Sequence, residues 1–173
     1  FTRQINQRWG INKFTAIPDQ KISLTSHRSY DVGGWKIGNI TNLNWSTEFD
    51  YSETVNNNYI AYDVKNDVSR PRFEYNDIRY KNTSKLGALF NWSFQRDGSK
   101  YELRNFFSQR GVSALTQREG MNYYSDKDIR KWESLYTGRT TYSGQISGVH
   151  TLRENVNKVD WTVGYAFASY REP

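Results

Sequence analysis

The 173 residues contain no cysteine, which excludes disulfides, thiolate metal sites and thiol catalysis together while leaving the redox compartment open. No stretch approaches the roughly 18 consecutive apolar residues of a membrane helix, so a helical span is not expected. Runs of Lys and Arg are also missing. The net charge of +6, from 24 Lys+Arg against 18 Asp+Glu, is scattered along the chain, and nucleic acid is not expected as a partner. Proline and methionine are scarce, at 3 and 1. The opening Phe1-Thr-Arg-Gln-Ile5 is neither an initiator Met nor a signal peptide and reads as an internal or processed terminus. A β-type membrane span would escape these filters, because half of its residues are polar.

What the chain has is aromatic rings. Tyr 13, Phe 9 and Trp 6 make up 16% of the residues in a chain only 36% hydrophobic, with a mean hydropathy of -0.89. Tyr and Trp suit boundaries between apolar and wet surroundings. The length suits one ordinary domain.

Apolar residues recur with period 2, bounded by turn residues, which is the signature of half-buried strands. Six strands are predicted, at about 20–30, 34–48, 84–95, 100–111, 135–150 and 160–170. In the third, Leu86, Ala88, Phe90, Trp92 and Phe94 share one face, and Lys85, Gly87, Asn91, Ser93 and Gln95 the other. In the second, Trp35, Ile37, Leu43 and Trp45 alternate with polar neighbours, but Asn39 and Thr41 interrupt the apolar face. Tyr101, Tyr142, Trp161, Tyr165 and Phe167 continue the pattern in the last three. Gly33-Gly34 and Asp97-Gly98 supply tight-turn chemistry, and a third short turn is expected near Asn155.

Connection lengths alternate as well. Short turns join strands one to two, three to four and five to six, whereas long polar loops are expected at about 49–81 and 112–131. Short turns on one side and long loops on the other mark an outer-membrane barrel. Trp35 and Trp45 would stand about 25 Å apart along the membrane normal, the height of an apolar band between two aromatic girdles. The rival reading is a soluble β-sandwich with an aromatic core. Single-chain barrels begin at eight strands, so six need further strands from elsewhere. Residues 1–19 and the final Arg171-Glu-Pro173 read as parts of two more long loops.

The runs Tyr75-Asn-Asp-Ile-Arg-Tyr80, Leu86-Gly-Ala-Leu-Phe-Asn-Trp92, Leu103-Arg-Asn-Phe-Phe107, Arg139-Thr-Thr-Tyr-Ser-Gly-Gln145 and Asp160-Trp-Thr-Val-Gly-Tyr165 resemble the barrel of TonB-dependent outer-membrane receptors of the Bacteroidetes type. The resemblance covers most of the chain from about Pro18. It implies an all-β, antiparallel transmembrane barrel of 22 strands, of which this is about a quarter, in the outer membrane of a Gram-negative cell. A carboxypeptidase-regulatory-like domain and a plug precede the barrel in that family, but neither they nor a TonB-contacting segment are visible among these motifs. The implied activity is uptake of a bulky nutrient such as a glycan, peptide or chelate, as a property of the whole receptor. The implied partners are outer-membrane lipid, the rest of the barrel and plug, TonB through the plug region, and a surface lipoprotein. A passive porin-like channel and an aromatic-rich carbohydrate-binding sandwich are the alternatives.

The girdle or lipid-facing set is then Trp35, Trp45, Phe90, Trp92, Phe94, Tyr101, Tyr142, Trp161, Tyr165 and Phe167, and Glu102, Arg104, Arg110 and Arg139 are expected to charge the lumen or pair across strands. Tyr59, Tyr62, Tyr75, Tyr80, Tyr123, Tyr124 and Trp132 are the candidate ligand contacts, being flat rings beside polar groups in the expected loops; packing of the loops onto themselves competes with that role. His27 and His150 lack the further ligands of a metal site, and no metal or cofactor is expected. Asp126, Asp128 and Glu119, and likewise Asp63 and Asp67, sit among Lys and Arg without a calcium-loop pattern and read as mixed-charge loops. Sequons begin at Asn39, Asn44, Asn82 and Asn91; three lie in predicted strands, where no glycan could be built. No catalytic constellation can be argued from spacing, and an enzyme is not expected.

Overall fold

A computed structural model describes residues 15–152 and 157–172. It consists of one antiparallel sheet of six strands in sequence order: β1 Gln20–Val32, β2 Trp35–Asp63, β3 Val68–Arg96, β4 Ser99–Asn122, β5 Lys127–Leu152 and β6 Asn157–Arg171. The sheet does not close, and β1 and β6 each present an unpaired edge. Among the described residues no second layer covers either face, and the only buried hydrophobic side chains are Tyr75 and Ala114. The chain exposes 14081 Å², against about 8,800 Å² for a compact protein of its mass. The described residues therefore form no packed sandwich core.

Two tight turns follow from their sequences. Gly33 and Gly34 carry φ of 58° and 81°, and Asp97 and Gly98 carry 45° and 78°, the paired left-handed conformation that two-residue hairpins require. The β5–β6 connection at 153–156, where a turn near Asn155 is expected, lies outside the described residues, as do 1–14 and Pro173.

The expected long loops at 49–81 and 112–131 are instead strands. β2 and β3 run 29 residues each, about 95 Å of extended chain, and close through the turn at 64–67. β4 and β5 close through 123–126. Asp67 and Asp126 take φ of 54° and 49° as these tip turns reverse the chain, and the Asp63 side chain accepts the backbone N–H of Lys65 and Asn66, as in an Asx turn. The described connections are two or four residues long, so the expected alternation of short turns and long loops is not found; instead β2 to β5 run on past the ends of β1 and β6 on one side. At 24 to 29 residues, β2 to β5 are longer than the roughly 10 residues that a tilted strand needs to cross an apolar band of about 25 Å.

Register sorts the two faces across all six strands, because directly opposed residues point the same way. Tyr30, Ile37, Phe94, Tyr101, Gly148 and Trp161 form one continuous row, and Leu24, Leu43, Ala88, Phe107, Tyr142 and Phe167 another. Every residue expected on the apolar face lies there. Asn39 and Thr41 also point to this face, where Thr41 Oγ1 donates to Asn39 Oδ1 and Asn39 Nδ2 to the Asn91 carbonyl, each at 3.1 Å. Their polar atoms are thereby largely satisfied within the sheet. All four sequons lie in strands, including Asn82, which the sequence places in a loop.

Candidate functional site

Three regions of the sheet carry chemistry: a ring belt at the short-turn end, the polar face, and the distal hairpins. In the belt, on the apolar face, Trp35 lies 6.3 Å from Tyr101, Tyr101 meets His150 edge-on at 5.1 Å, and His150 stacks beside Trp161 at 6.4 Å. Trp161 Nε1 donates to His150 Nε2 at 3.0 Å and His150 Nδ1 faces Ser99 Oγ at 3.2 Å. An indole N–H can only donate, so this geometry is that of a neutral imidazole with its proton on Nδ1. Arg96 sits over Trp35 at 5.8 Å. Rings with polar tips at one level suit a membrane interface.

The polar face holds the ion pairs of the sheet's proximal half. Lys85 Nζ meets Glu48 at 2.8 Å, and Glu102 is shared by Lys100 at 2.6 Å and Arg104 at 2.5 Å. Glu102 and Arg104 thus pair along one strand rather than across strands. An open groove of about 420 Å³ lies beside them, rimmed by His27, Asn91, Glu102 and Arg104 over Gly38. Arg110 and Arg139 share this face, directly opposed in register.

Toward their distal ends, β2, β3 and β4 are tied together by charge. Arg118 donates to both carboxylate oxygens of Asp77, at 2.7 and 2.6 Å, and Asn56 Nδ2 donates to Asp77 Oδ2 at 2.5 Å. The Arg118 guanidinium also lies 5.0 Å from the Tyr75 ring, and Tyr75 stacks on Phe73 at 4.6 Å. Such a bidentate pair, with cation–π support, fixes register as well as adding attraction. Arg118's hydrogen bond is the main cause holding the Asp77 carboxyl below the usual carboxylate range, ahead of the opposing effect of burial. A carboxyl lowered in the folded state contributes its full stabilisation above its unfolded value of about 3.9 and loses it as pH falls through the folded value. Protection of the distal β2–β4 amides, taken relative to the intrinsic exchange rate at each pH, is therefore expected to fall only below about pH 4. In Asp77→Asn that acid limb disappears, and protection is already low at neutral pH.

The seven candidate ring contacts do not form one loop surface. Tyr59, Tyr62, Tyr75, Tyr80 and Trp132 are strand residues, and only Tyr123 and Tyr124 occupy a turn. Tyr80 pairs with Tyr51, with ring centroids 5.4 Å apart, on the same side as the apolar rows, and Trp132 shares that side. Tyr75 is on the opposite face and only 8% exposed. Near the tips, Tyr123 Oη donates to Glu74 at 2.9 Å, and the backbone N–H of Tyr124 donates to the Arg72 carbonyl at 3.3 Å. Arg72 lies 5.5 Å from the Tyr124 ring, and Tyr62 donates to Asp67. Of this set only Tyr75, Tyr123 and Tyr124 touch the neighbouring hairpin, and all but Tyr75 stay exposed, Tyr124 at 77%.

Of the acidic residues near the tips, Glu119 pairs with Arg130 at 2.9 Å. No group of three His, Asp or Glu side chains able to hold a metal ion occurs among the described residues. The Asp77–Arg118–Asn56 cluster was not legible as a site, since its members lie 21 and 41 residues apart and only the register of three long strands joins them. No family model matches the sequence, and neither a curated protein nor a solved structure matches it.

Proposed function

We propose that this chain is a stretch of wall of an outer-membrane β-barrel receptor of the TonB-dependent, Bacteroidetes type. It contributes lipid-facing surface, lumen lining and two tall extracellular hairpins to the uptake of a bulky nutrient. The observation that carries the reading is the sorting of faces: two apolar rows cross all six strands in a single layer, and the two rows between them carry polar side chains only at Ser26, Arg28, Asn39, Thr41 and Asn105. A face of that extent needs an apolar partner, and among the described residues the sheet has no second layer to offer one. Lipid supplies it. The belt of Trp35, Tyr101, His150 and Trp161 at the short-turn end, and Trp45 further along the same face of β2, fit two interfacial girdles about 25 Å apart.

In lipid the free edges of β1 and β6 would leave backbone groups unpaired, at several kcal/mol each. Further strands must therefore pair with both edges, and a plug inside the completed barrel would relay energy from TonB. A carbohydrate-binding sandwich lacks its second sheet in this architecture. The family assignment rests on the strand motifs resembling those receptors, and the substrate class is left to the lumen and hairpins.

The full-length protein in detergent is expected to show a β-rich circular dichroism spectrum and a heat-modified gel mobility, the faster band converting to the slower on boiling. A monomeric, detergent-free soluble fold of these strands would overturn the proposal.

A further inference from the structure

One row of the polar face runs Lys21, Ser46, Lys85, Arg110, Arg139 and Tyr170, directly opposed strand by strand across the whole sheet. Four of its six members are cations. Lys85 is neutralised by Glu48 at 2.8 Å, but among the described residues neither Arg110 nor Arg139 has a hydrogen bond or ion pair to a carboxylate. Glu172, the acid at the far end of the row, accepts a hydrogen bond from Tyr170 Oη at 2.8 Å. The next row toward the short turns, Ser23, Asn44, Gly87, Ser108, Thr141 and Ala168, holds no acid. It offers small residues and hydroxyl donors.

Like charges directly opposed across strands oppose pairing. Arg110 and Arg139 keep that arrangement, both exposed, on the face opposite the apolar rows. Each guanidinium presents a planar fork of donors suited to carboxylate, sulfate or phosphate. Adjacent strands lie about 4.8 Å apart, so two forks side by side match one oxyanion between them. Lys85 then lies one strand further and Lys21 three, within reach of a second anionic group on the same molecule.

We propose that the Lys21–Lys85–Arg110–Arg139 row is an oxyanion-binding rung of the lumen, and that the solute carried past it bears at least two carboxylate, sulfate or phosphate groups. The proposal rests on the barrel reading, which makes this face the lumen. It sets the substrate class by charge: an anionic solute is drawn to the rung and released as counter-ions compete, with the hydroxyls of Ser108 and Thr141 beside it to hydrogen-bond the same group.

The test uses the full-length protein in detergent with inorganic pyrophosphate as probe, titrated calorimetrically at low and at physiological salt. Circular dichroism and heat-modified mobility are recorded first, so that failure to form a barrel is seen separately from failure to bind. The folded wild type is expected to bind pyrophosphate, more weakly at the higher salt. The double variant Arg110→Gln/Arg139→Gln is expected to lose about tenfold or more in affinity. Arg104→Gln, which alters a cation already paired with Glu102, is expected to stay within about twofold. Absence of binding by the folded wild type, or equal binding by the double variant, overturns the rung and leaves the barrel reading standing.

Discussion

Replacing Phe90 by Arg in the full-length protein is expected to abolish assembly into the outer membrane, while the same change at its neighbour Leu89 leaves assembly nearly intact. Phe90 lies four residues from both Leu86 and Phe94 on the apolar face, near mid-band, and meets Trp92 edge-on at 5.7 Å. An Arg on the lipid face costs about 2–4 kcal/mol at the bilayer midplane. Loss of the aromatic contact adds about 0.5–1.5 kcal/mol. Together these reduce the assembled fraction by two orders of magnitude or more. Leu89 points to the polar face, opposite Asn42 and Phe106, where an added guanidinium stays in water. The folded fraction by heat-modified mobility separates the two. Equal behaviour of the pair would contradict an apolar partner for this face alone, and recovery in the outer-membrane fraction identifies that partner as lipid.

The second large effect concerns the distal hairpins. Gly120, opposite Tyr75, has a φ of 148°, a region that L side chains rarely adopt. A Cβ there would overlap the Glu74 carbonyl oxygen and come within 2.9 Å of Tyr75 Cα and 3.0 Å of the Glu74 carbonyl carbon. These obstacles are backbone, which cannot swing aside as a side chain does. Gly120→Ala is therefore expected to combine backbone strain of about 1–3 kcal/mol with overpacking of about 1–3 kcal/mol. Its effect falls where Tyr75 and Arg118 pack, so hydrogen exchange at 73–80 and 115–122 should quicken by about a hundredfold or more. Exchange at 84–111, inside the apolar band, should not change. Unaltered exchange around Gly120 would mean that distal β3 and β4 do not pair as described.

Why the sequence announces one half of these strands and hides the other is a matter of solvent. Between Trp35 and Trp45, or Leu86 and Phe94, one side of the sheet is apolar and the other polar, the difference that an apolar medium on one side and water on the other would write into the residues as period 2. Further along the strands neither side is apolar. From Asp50 to Asp63 and from Val68 to Tyr80 polar residues occupy both faces, no alternation marks the strands, and the segments read as loops. Hairpin turns were legible because Asp97-Gly98 and Gly33-Gly34 answer to a local backbone rule.

Register was the second hidden quantity. Arg110 and Arg139 can each be assigned to the polar face of their own strand, but nothing in one strand says that they stand opposite each other with Lys85 beside them. Likewise Asn39 reads as a defect in an apolar face until β3 is placed beside it, and its amide is found donating to the Asn91 carbonyl. In the sequence His150 is a histidine without the further ligands of a metal site; only pairing with β6 brings Trp161 to its Nε2.

The most direct measurement of the central claim is a nitroxide scan. Residues 85 to 95 are replaced one at a time by Cys in a full-length protein otherwise free of cysteine, spin-labelled, and reconstituted in liposomes. Collision with dissolved oxygen, which concentrates in lipid, should peak at Leu86, Ala88, Phe90, Trp92 and Phe94. Collision with a water-soluble nickel chelate should peak out of phase, at Lys85, Gly87, Leu89, Asn91, Ser93 and Gln95. A scan in which both reagents rise and fall together, or in which neither shows period 2, would contradict a bilayer on one side of this sheet and water on the other.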